Sequence, residues 1–385
     1  MPFVHYWPVG FTKDIPLSMT PAQICQALLA DWLPSLPFSA SRSVMGWPFY
    51  LIKRRSRAKI PYLYLDPISG WSDRQWKGVL SWMLGVAGTR RVLAEEKYIW
   101  IAPLSAFYSD RKREVTTLSW HPDYPPSALE ISSNPGVKSN LRPDYIAARY
   151  GSDGAIEFAI VESKGTSKAM NNLTSCPSAW AEQARNAIVK LNKSEITIPR
   201  HLVVATRCNP NAVRQKTRRL KVRAWNSNTE KESYDEKILI EILTAHYSGL
   251  CLNLGLLDNM RALQLSASNR LKGSNDLDQL DQAFEKADSE LNLKGGWDPS
   301  KNKNAEFEIA LDRGIVHVQL ANASIALIRY LRSMEDLRHG IDFHIERLSG
   351  WYSEISNTVD ESANIAVDRS GFIVDAGELN FSQIQ

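Results

Sequence analysis

Residues 141–165 read LRPDYIAARYGSDGAIEFAIVESKG, and the fold turns on this stretch. DYIAARY is a short strand, GSDG supplies the backbone freedom of a tight reversal, and AIEFAIVESKG continues as a longer strand. A period of two sets Ile156, Phe158, Ile160, Glu162 and Lys164 on one face. Three apolar side chains thus lead to an acid and a base on the same side of the same strand. That is a costly place for charge unless it is paired, metal-bound or at an open sheet edge. An antiparallel hairpin closed at 151–154 returns Asp144 to the side of Glu162, close enough for the two carboxylates to share a cation at a sheet edge open to solvent. Two hard carboxylates with few other ligands suit Mg²⁺, with Mn²⁺ as a substitute.

An acid two residues before a lysine says little alone, since the pattern recurs at Glu95–Lys97 and Asp235–Lys237. Those two fall where helical neighbours fit well. Only the middle instance also has a Pro-Asp pair, a hairpin, an apolar strand and a helix after it, CPSAWAEQARNAIVKLN (176–192), entered through Pro177 and Ser178.

On the N-terminal side, TPAQICQALLADWL predicts a helix with Thr20 as cap and Pro21 at its first position. SDRQWKGVLSWMLGVAG predicts a second helix over 73–87, and KYIWIAPL a strand. The 121–140 stretch reads as loop with one short strand at ALEIS. Downstream, PRHLVVATRC is a strand buried on both faces and RLKVRAW a further strand. After residue 230, SYDEKILIEILTAHY, NDLDQLDQAFEKADSEL and NASIALIRYLRSMEDL are helical by periodicity, and VDRSGFIVDAGEL predicts a terminal hairpin around Arg369 and Ser370. The expected organisation is an N-terminal region at 1–70, a central domain at 71–230 that carries the Asp144, Glu162 and Lys164 set, and a mainly helical interaction region at 231–385.

Composition adds limits. Apolar residues make up 44% and charged residues 23% of 385, which is ordinary for a folded chain, and the net charge of +4 is too mild to signal nucleic acid by itself. The start lacks a basic stretch followed by an apolar run, and no run of about 18 apolar residues occurs. Cys25, Cys176, Cys208 and Cys251 are scattered, which excludes a zinc ribbon and predicts free thiols in a cytoplasmic protein that does not engage membranes. GxGxxG, Walker and GxSxG motifs are absent, and His339 and His344, five apart, do not make a helical zinc pair.

The combination of Pro143, Asp144, Glu162, Ser163 and Lys164 resembles the PD-(D/E)xK nuclease superfamily, over roughly residues 70–230. The resemblance implies an α/β fold with a restriction-endonuclease-like core, a central mixed sheet flanked by helices. It implies that Asp144, Glu162 and the Ser163 carbonyl hold a metal and that Lys164 serves the attacking water. Gln183, with Asn186 a turn later, matches the polar residue that the following helix often contributes. The RecB-like branch has an aromatic residue four positions after its glutamine, where this chain has Ala187, so the branch is not identified. Many members also place an acid on the first helix, a part open to Glu95 or Glu96 if that helix runs on past Gly85 and Gly88.

A second signal is electrostatic. From Arg200 to Arg223 the chain carries Arg207, Arg214, Lys216, Arg218, Arg219, Lys221 and Arg223 with no acid among them. Such a run suits phosphate tracking, with Trp225 stacking on a base or sugar; the blander reading is a solvated loop and an exposed strand face. Lys138 and Arg142 are placed to touch backbone phosphates as well. The function expected is a Mg²⁺-dependent endonuclease acting on DNA, by analogy within a defence or mobile-element complex, with a homo-oligomer or protein partner engaged through 231–385. The rival readings are a catalytically silent nucleic-acid-binding or scaffold subunit, and an interaction module with an accidental motif.

Overall fold

The hairpin forms in the predicted register. In a computed structural model, β7 (Tyr145–Tyr150) pairs antiparallel with β8 (Ile156–Thr166), Tyr145 opposite Val161 and Tyr150 opposite Ile156. The structure describes residues 3–5, 15–16, 19–31, 52–55, 62–65, 74–108, 127–137, 141–150, 155–166, 175–198, 200–207, 221–227, 236–272, 277–301, 303–311, 314–333, 340–357 and 365–376. The apolar row behaves as its period requires: Ile156, Phe158 and Ile160 enter the main core, while Ala159 and Val161 enter a second cluster on the opposite face.

Around the hairpin a mixed sheet is built. Its order is β1 (Phe3–His5), β12 (Lys221–Ser227), β11 (His201–Arg207), β8, β7, β5 (Trp100–Pro103), with β2 (Ile15–Pro16) also on β12. Only β8 and β11 run parallel; both are central and buried on two faces, which explains the continuous apolar run of HLVVATR. The protein is α/β, as expected.

Helix α1 (Pro21–Asp31) opens with a capping box: Thr20 Oγ1 accepts from the Gln23 amide at 3.1 Å, and Gln23 Oε1 accepts from the Thr20 amide at 2.8 Å. Helix α2 (Arg74–Glu95) does run on past both glycines. They are where it touches the sheet. A Cβ on Gly85 would lie 2.8 Å from the Gly165 nitrogen, one on Gly88 1.9 Å from Thr206 Oγ1, and one on Gly165 1.6 Å from the Ser81 carbonyl oxygen. Helix and strand backbones are therefore in direct contact.

The helix expected over 176–192 is shorter. Helix α3 (Ser178–Ala184) ends at Ala184 with Arg185 as its C-cap, and Ile188–Leu191 is instead β9, paired with β6 (Leu129–Ser132) and β10 (Ser194–Ile196). The β-branched Ile188–Val189 pair and the waiting edge of β6 outweigh the helical spacing of the apolar residues. A separate pair, β3 (Ile52–Arg55) and β4 (Tyr62–Leu65), lies in the N-terminal region.

Beyond 230 the predicted helices appear as α4 (Glu236–Asn253), α6 (Leu277–Gly295) and α7 (Asn322–Arg332), joined by α5 (Leu257–Lys272) and α8 (Ile341–Ser356). They are accompanied by a four-stranded antiparallel sheet, β13 (Ala305–Leu311), β14 (Gly314–Leu320), β16 (Phe372–Asp375) and β15 (Ile365–Val367). The terminal β15–β16 hairpin is the predicted one; β13–β14 is not foreseen, because EFEIALDRGIVHVQL mixes charge into both strands. His339 lies outside the described residues. The main apolar cluster runs from Ala22 of α1 through β5–β8 and α4 to Ala376, so the regions before and after 230 bury side chains against each other. No helix among the described residues is long and apolar enough to cross a membrane.

Helix α4 covers the free side of edge strand β5 through a histidine. His246 Nδ1 lies 3.1 Å from the Ile101 carbonyl oxygen, and burial lowers its pKa to about 4. A neutral buried ring with a depressed folded-state pKa contributes stability that is complete above its ordinary 6.5 and is lost as pH falls through about 4. Denaturant unfolding at pH 7 and pH 4 is expected to show a loss of up to about 3 kcal/mol that His246→Asn removes. An equal acid loss in the variant would assign the sensitivity to other groups.

Candidate active site

Asp144 lies one step before β7, its amide donates to the Val161 carbonyl at 3.0 Å, and its carboxylate lies against that of Glu162. The hairpin thus brings the two acids together. They do not meet at a sheet edge, however. Strand β8 is flanked by β7 and β11, and Glu162 is fully buried, while Asp144 is half-buried at the end of the sheet. The way to the pair is along the strand ends, past Asp144 and the half-buried Lys164.

Ser163 shows how alternation divides the work. Its side chain points to the α2 face, where Thr89 Oγ1 donates to Ser163 Oγ at 2.9 Å. Its amide donates to Asp144 Oδ2 at 2.7 Å and fixes that carboxylate. In an extended residue N–H and C=O point to the same side, so the Ser163 carbonyl also faces Asp144.

Lys164 forms an ion pair with Glu162 Oε1 and donates to Gln183 Oε1 at 2.6 Å. Gln183 Nε2 in turn donates to the Arg142 carbonyl at 2.9 Å. Gln183 therefore ties the lysine to the segment that leads into Asp144. Asn186 is not a turn further along the helix but beyond its end. It is fully buried, with Nδ2 donating to the Leu141 carbonyl at 2.8 Å and Oδ1 accepting from the Asn134 amide at 2.9 Å. Two amides from one short stretch clamp residues 141–142, which sets where Asp144 begins; no sequence signal marks Asn186 for that part.

Burial, and after it the charge of Asp144, push Glu162 up to about 9, against the opposing pull of Lys164. Two carboxylates forced together need a positive partner, and a proton is the least they can share. Oxygen donors from Asp144, Glu162 and the Ser163 carbonyl match the preference of a hard divalent cation, so the residues present fit Mg²⁺. No group of three or more His, Cys, Asp or Glu side chains gathers for a metal among the described residues.

Other candidates fall elsewhere. Glu95 pairs with Arg91, and Glu96 with Arg149 and Arg200, at the end of the sheet where Arg149 faces Glu157. That is five residues, roughly 16 Å, along β8 from Glu162; neither acid joins the site. Trp225 is fully buried edge-on against Trp180, and Arg223 is buried over its ring, so neither offers a surface to a base or phosphate. Strand β12 lies between β11 and β1, and its residues 222–227 are buried without a break. Arg142 donates to Ser133 Oγ at 2.8 Å and stacks on Tyr108 at 4.2 Å. Arg207 is half-buried at the end of β11. Lys138, Arg214, Lys216, Arg218 and Arg219 lie outside the described residues, as does the side chain of Lys221. Among the described cysteines, Cys25, Cys176 and Cys251 are free thiols. Compared with protein-family models, with curated proteins and with solved structures, the chain matches none.

Proposed function

We propose that this protein is a metal-dependent nuclease that hydrolyses DNA phosphodiester bonds, with Asp144, Glu162, Lys164 and Gln183 as its catalytic constellation. The observation that carries the reading is the close approach of the Asp144 carboxylate to a fully buried Glu162, beside an ammonium held by an amide. Asp144, Glu162 and the Ser163 carbonyl would hold Mg²⁺ or Mn²⁺, which when bound supplies positive charge to the phosphoryl oxygens. Lys164, steered by Gln183, orients a water for in-line attack on phosphorus; a new phosphorus–oxygen bond forms as the bond to the leaving sugar oxygen breaks. Strand-borne carboxylates and a clamped approach segment give the rigidity this geometry needs.

Plasmid and single-strand cleavage in Mg²⁺, Mn²⁺ or EDTA tests it. Wild type is expected to cut only with metal, and Glu162→Ala and Lys164→Ala to lose the activity. Cleavage that survives both substitutions sinks the proposed site. One observation favours the rival reading of a silent binding subunit: Glu162 is fully enclosed with Lys164 closed upon it. DNA binding without cleavage under every metal condition would establish that reading instead. For DNA as partner the basic stretch is the test: Arg218→Glu with Arg219→Glu is expected to weaken binding and flatten its salt dependence by up to about two phosphate contacts. An unchanged salt slope would remove those residues from the interface.

A further inference from the structure

A cleft of about 310 Å³ opens where α1, the last turns of α2, the approach to β5, α8 and the β15–β16 turn meet. None of its lining residues belongs to the constellation around Asp144 and Glu162. Along α2, its Arg90 is nine residues, roughly 14 Å, from Ser81, the residue that touches Gly165 beside Lys164. The volume is at the lower end of small-molecule sites. The space exists because α1 and α2 present Ala27, Ala30 and Ala94 to it, and larger side chains there would fill it to interior density. Ile99, Ile101 and Val367 extend this apolar floor.

The rim is cationic. Arg91, Lys97 and Arg369 line the cleft with Glu95, and Arg90, almost wholly buried, lies deeper beside Asp368, whose charged form it favours against burial. Both carboxylates are engaged: Glu95 by Arg91 at 2.9 Å, and Asp368 Oδ1 by the Ser370 amide at 2.9 Å, the Ser370 hydroxyl at 2.6 Å and the Phe372 amide at 3.1 Å. Those three donors fix the tight turn that carries Arg369, which Gly371 completes at φ +83°. The Arg369 guanidinium rests 4.6 Å from the ring centroid of Tyr352. Gln26 Nε2 ties the same hairpin to α1 through the Ala366 and Phe372 carbonyls, at 3.2 and 2.6 Å. On the α2 wall, Arg90 donates to the Ala30 carbonyl at 3.1 Å. Guanidinium groups on two walls are thus oriented beforehand, which lowers the ordering cost of binding, and their forks match phosphate and carboxylate alike.

We propose that this cleft binds a small organic anion, its apolar group on the alanine floor and its phosphate or carboxylate between Arg90 and Arg369. The test is calorimetric titration of the full chain with phenyl phosphate, benzoate, inorganic phosphate and neutral benzyl alcohol. Phenyl phosphate or benzoate is expected to bind one to one, and whichever binds more tightly identifies the head group. Arg369→Gln is expected to weaken that binding about tenfold or more, and Ala30→Met, which fills the floor, to abolish it. Melting of the free variants checks that each is folded, and either variant alone suffices as the comparison. The proposal is overturned if neither organic anion binds at millimolar concentration, if benzyl alcohol binds as tightly, or if inorganic phosphate binds as tightly as phenyl phosphate. Wild-type affinity in the folded variants would overturn it too. Cleavage is not the readout, so the result is independent of the nuclease reading.

Discussion

Glu162→Gln is expected to lower metal-dependent cleavage by about a thousandfold or more while leaving the fold as stable as before, or more stable. The two effects separate because Glu162 is fully buried and pushed up to about 9, so the fold works against its charged form. A group whose folded-state pKa is raised contributes stability that is complete below its ordinary 4.5 and is lost as pH rises through about 9. Wild type without metal is therefore expected to lose stability on going from pH 5 to pH 9, and the glutamine variant to lose less. A divalent cation that binds at the pair displaces the shared proton and stabilises the folded state, by about 2.7 kcal/mol at a hundred times its Kd. Melting curves with Mn²⁺ or EDTA at pH 8 should thus shift for wild type and stay together for Glu162→Gln. Equal cation shifts in both proteins would mean that the metal binds elsewhere, and a large destabilisation of the variant would make Glu162 a structural residue.

Gly165→Ala carries the second large effect. The added methyl would lie 1.6 Å from the Ser81 carbonyl oxygen and 2.2 Å from its carbon, both backbone atoms of α2. No rotamer relieves a backbone collision, so α2 must lift from β8 or the strand end must shift. The expected cost is about 3 kcal/mol or more. Because Gly165 follows Lys164, and Thr89 of the same helix bonds Ser163, the displacement reaches the site and activity should fall with stability. Gly78 is the control: a Cβ there meets nothing within 4 Å, so Gly78→Ala in the same helix should stabilise by roughly 0.5–1 kcal/mol. Denaturant midpoints of the two variants moving in the same direction would show that the helix is not seated on β8 as described.

The site was legible in the sequence wherever its geometry is local. A period of two and a short turn are enough to set Asp144 beside Glu162 with Lys164 on the same face, and Thr20-Pro21 is enough to start α1. The acid-x-lysine pattern at Glu95 and at Lys237 was separable from it because both fall at helix ends, the one closing α2 and the other opening α4. The basic stretch was less legible. Charge along a chain does not reveal which strand is central, and β12 turns Arg223 and Trp225 inward because β1 and β11 pair on either side of it.

By itself, then, the sequence determined the hairpin, the α/β class and the residues that converge at its open end, because periodicity and turn chemistry act over a few neighbours. Only the tertiary structure decided that β8 is interior, that Glu162 is buried and held toward neutrality, and that α3 stops at Ala184. It also decided that Asn186 clamps the approach to Asp144 and that alanines on α1 and α2 leave a cleft beneath Arg369. Each of these depends on partners far away in the chain, on which strand pairs beside which and which helix closes over them, and that information is not carried by any short stretch.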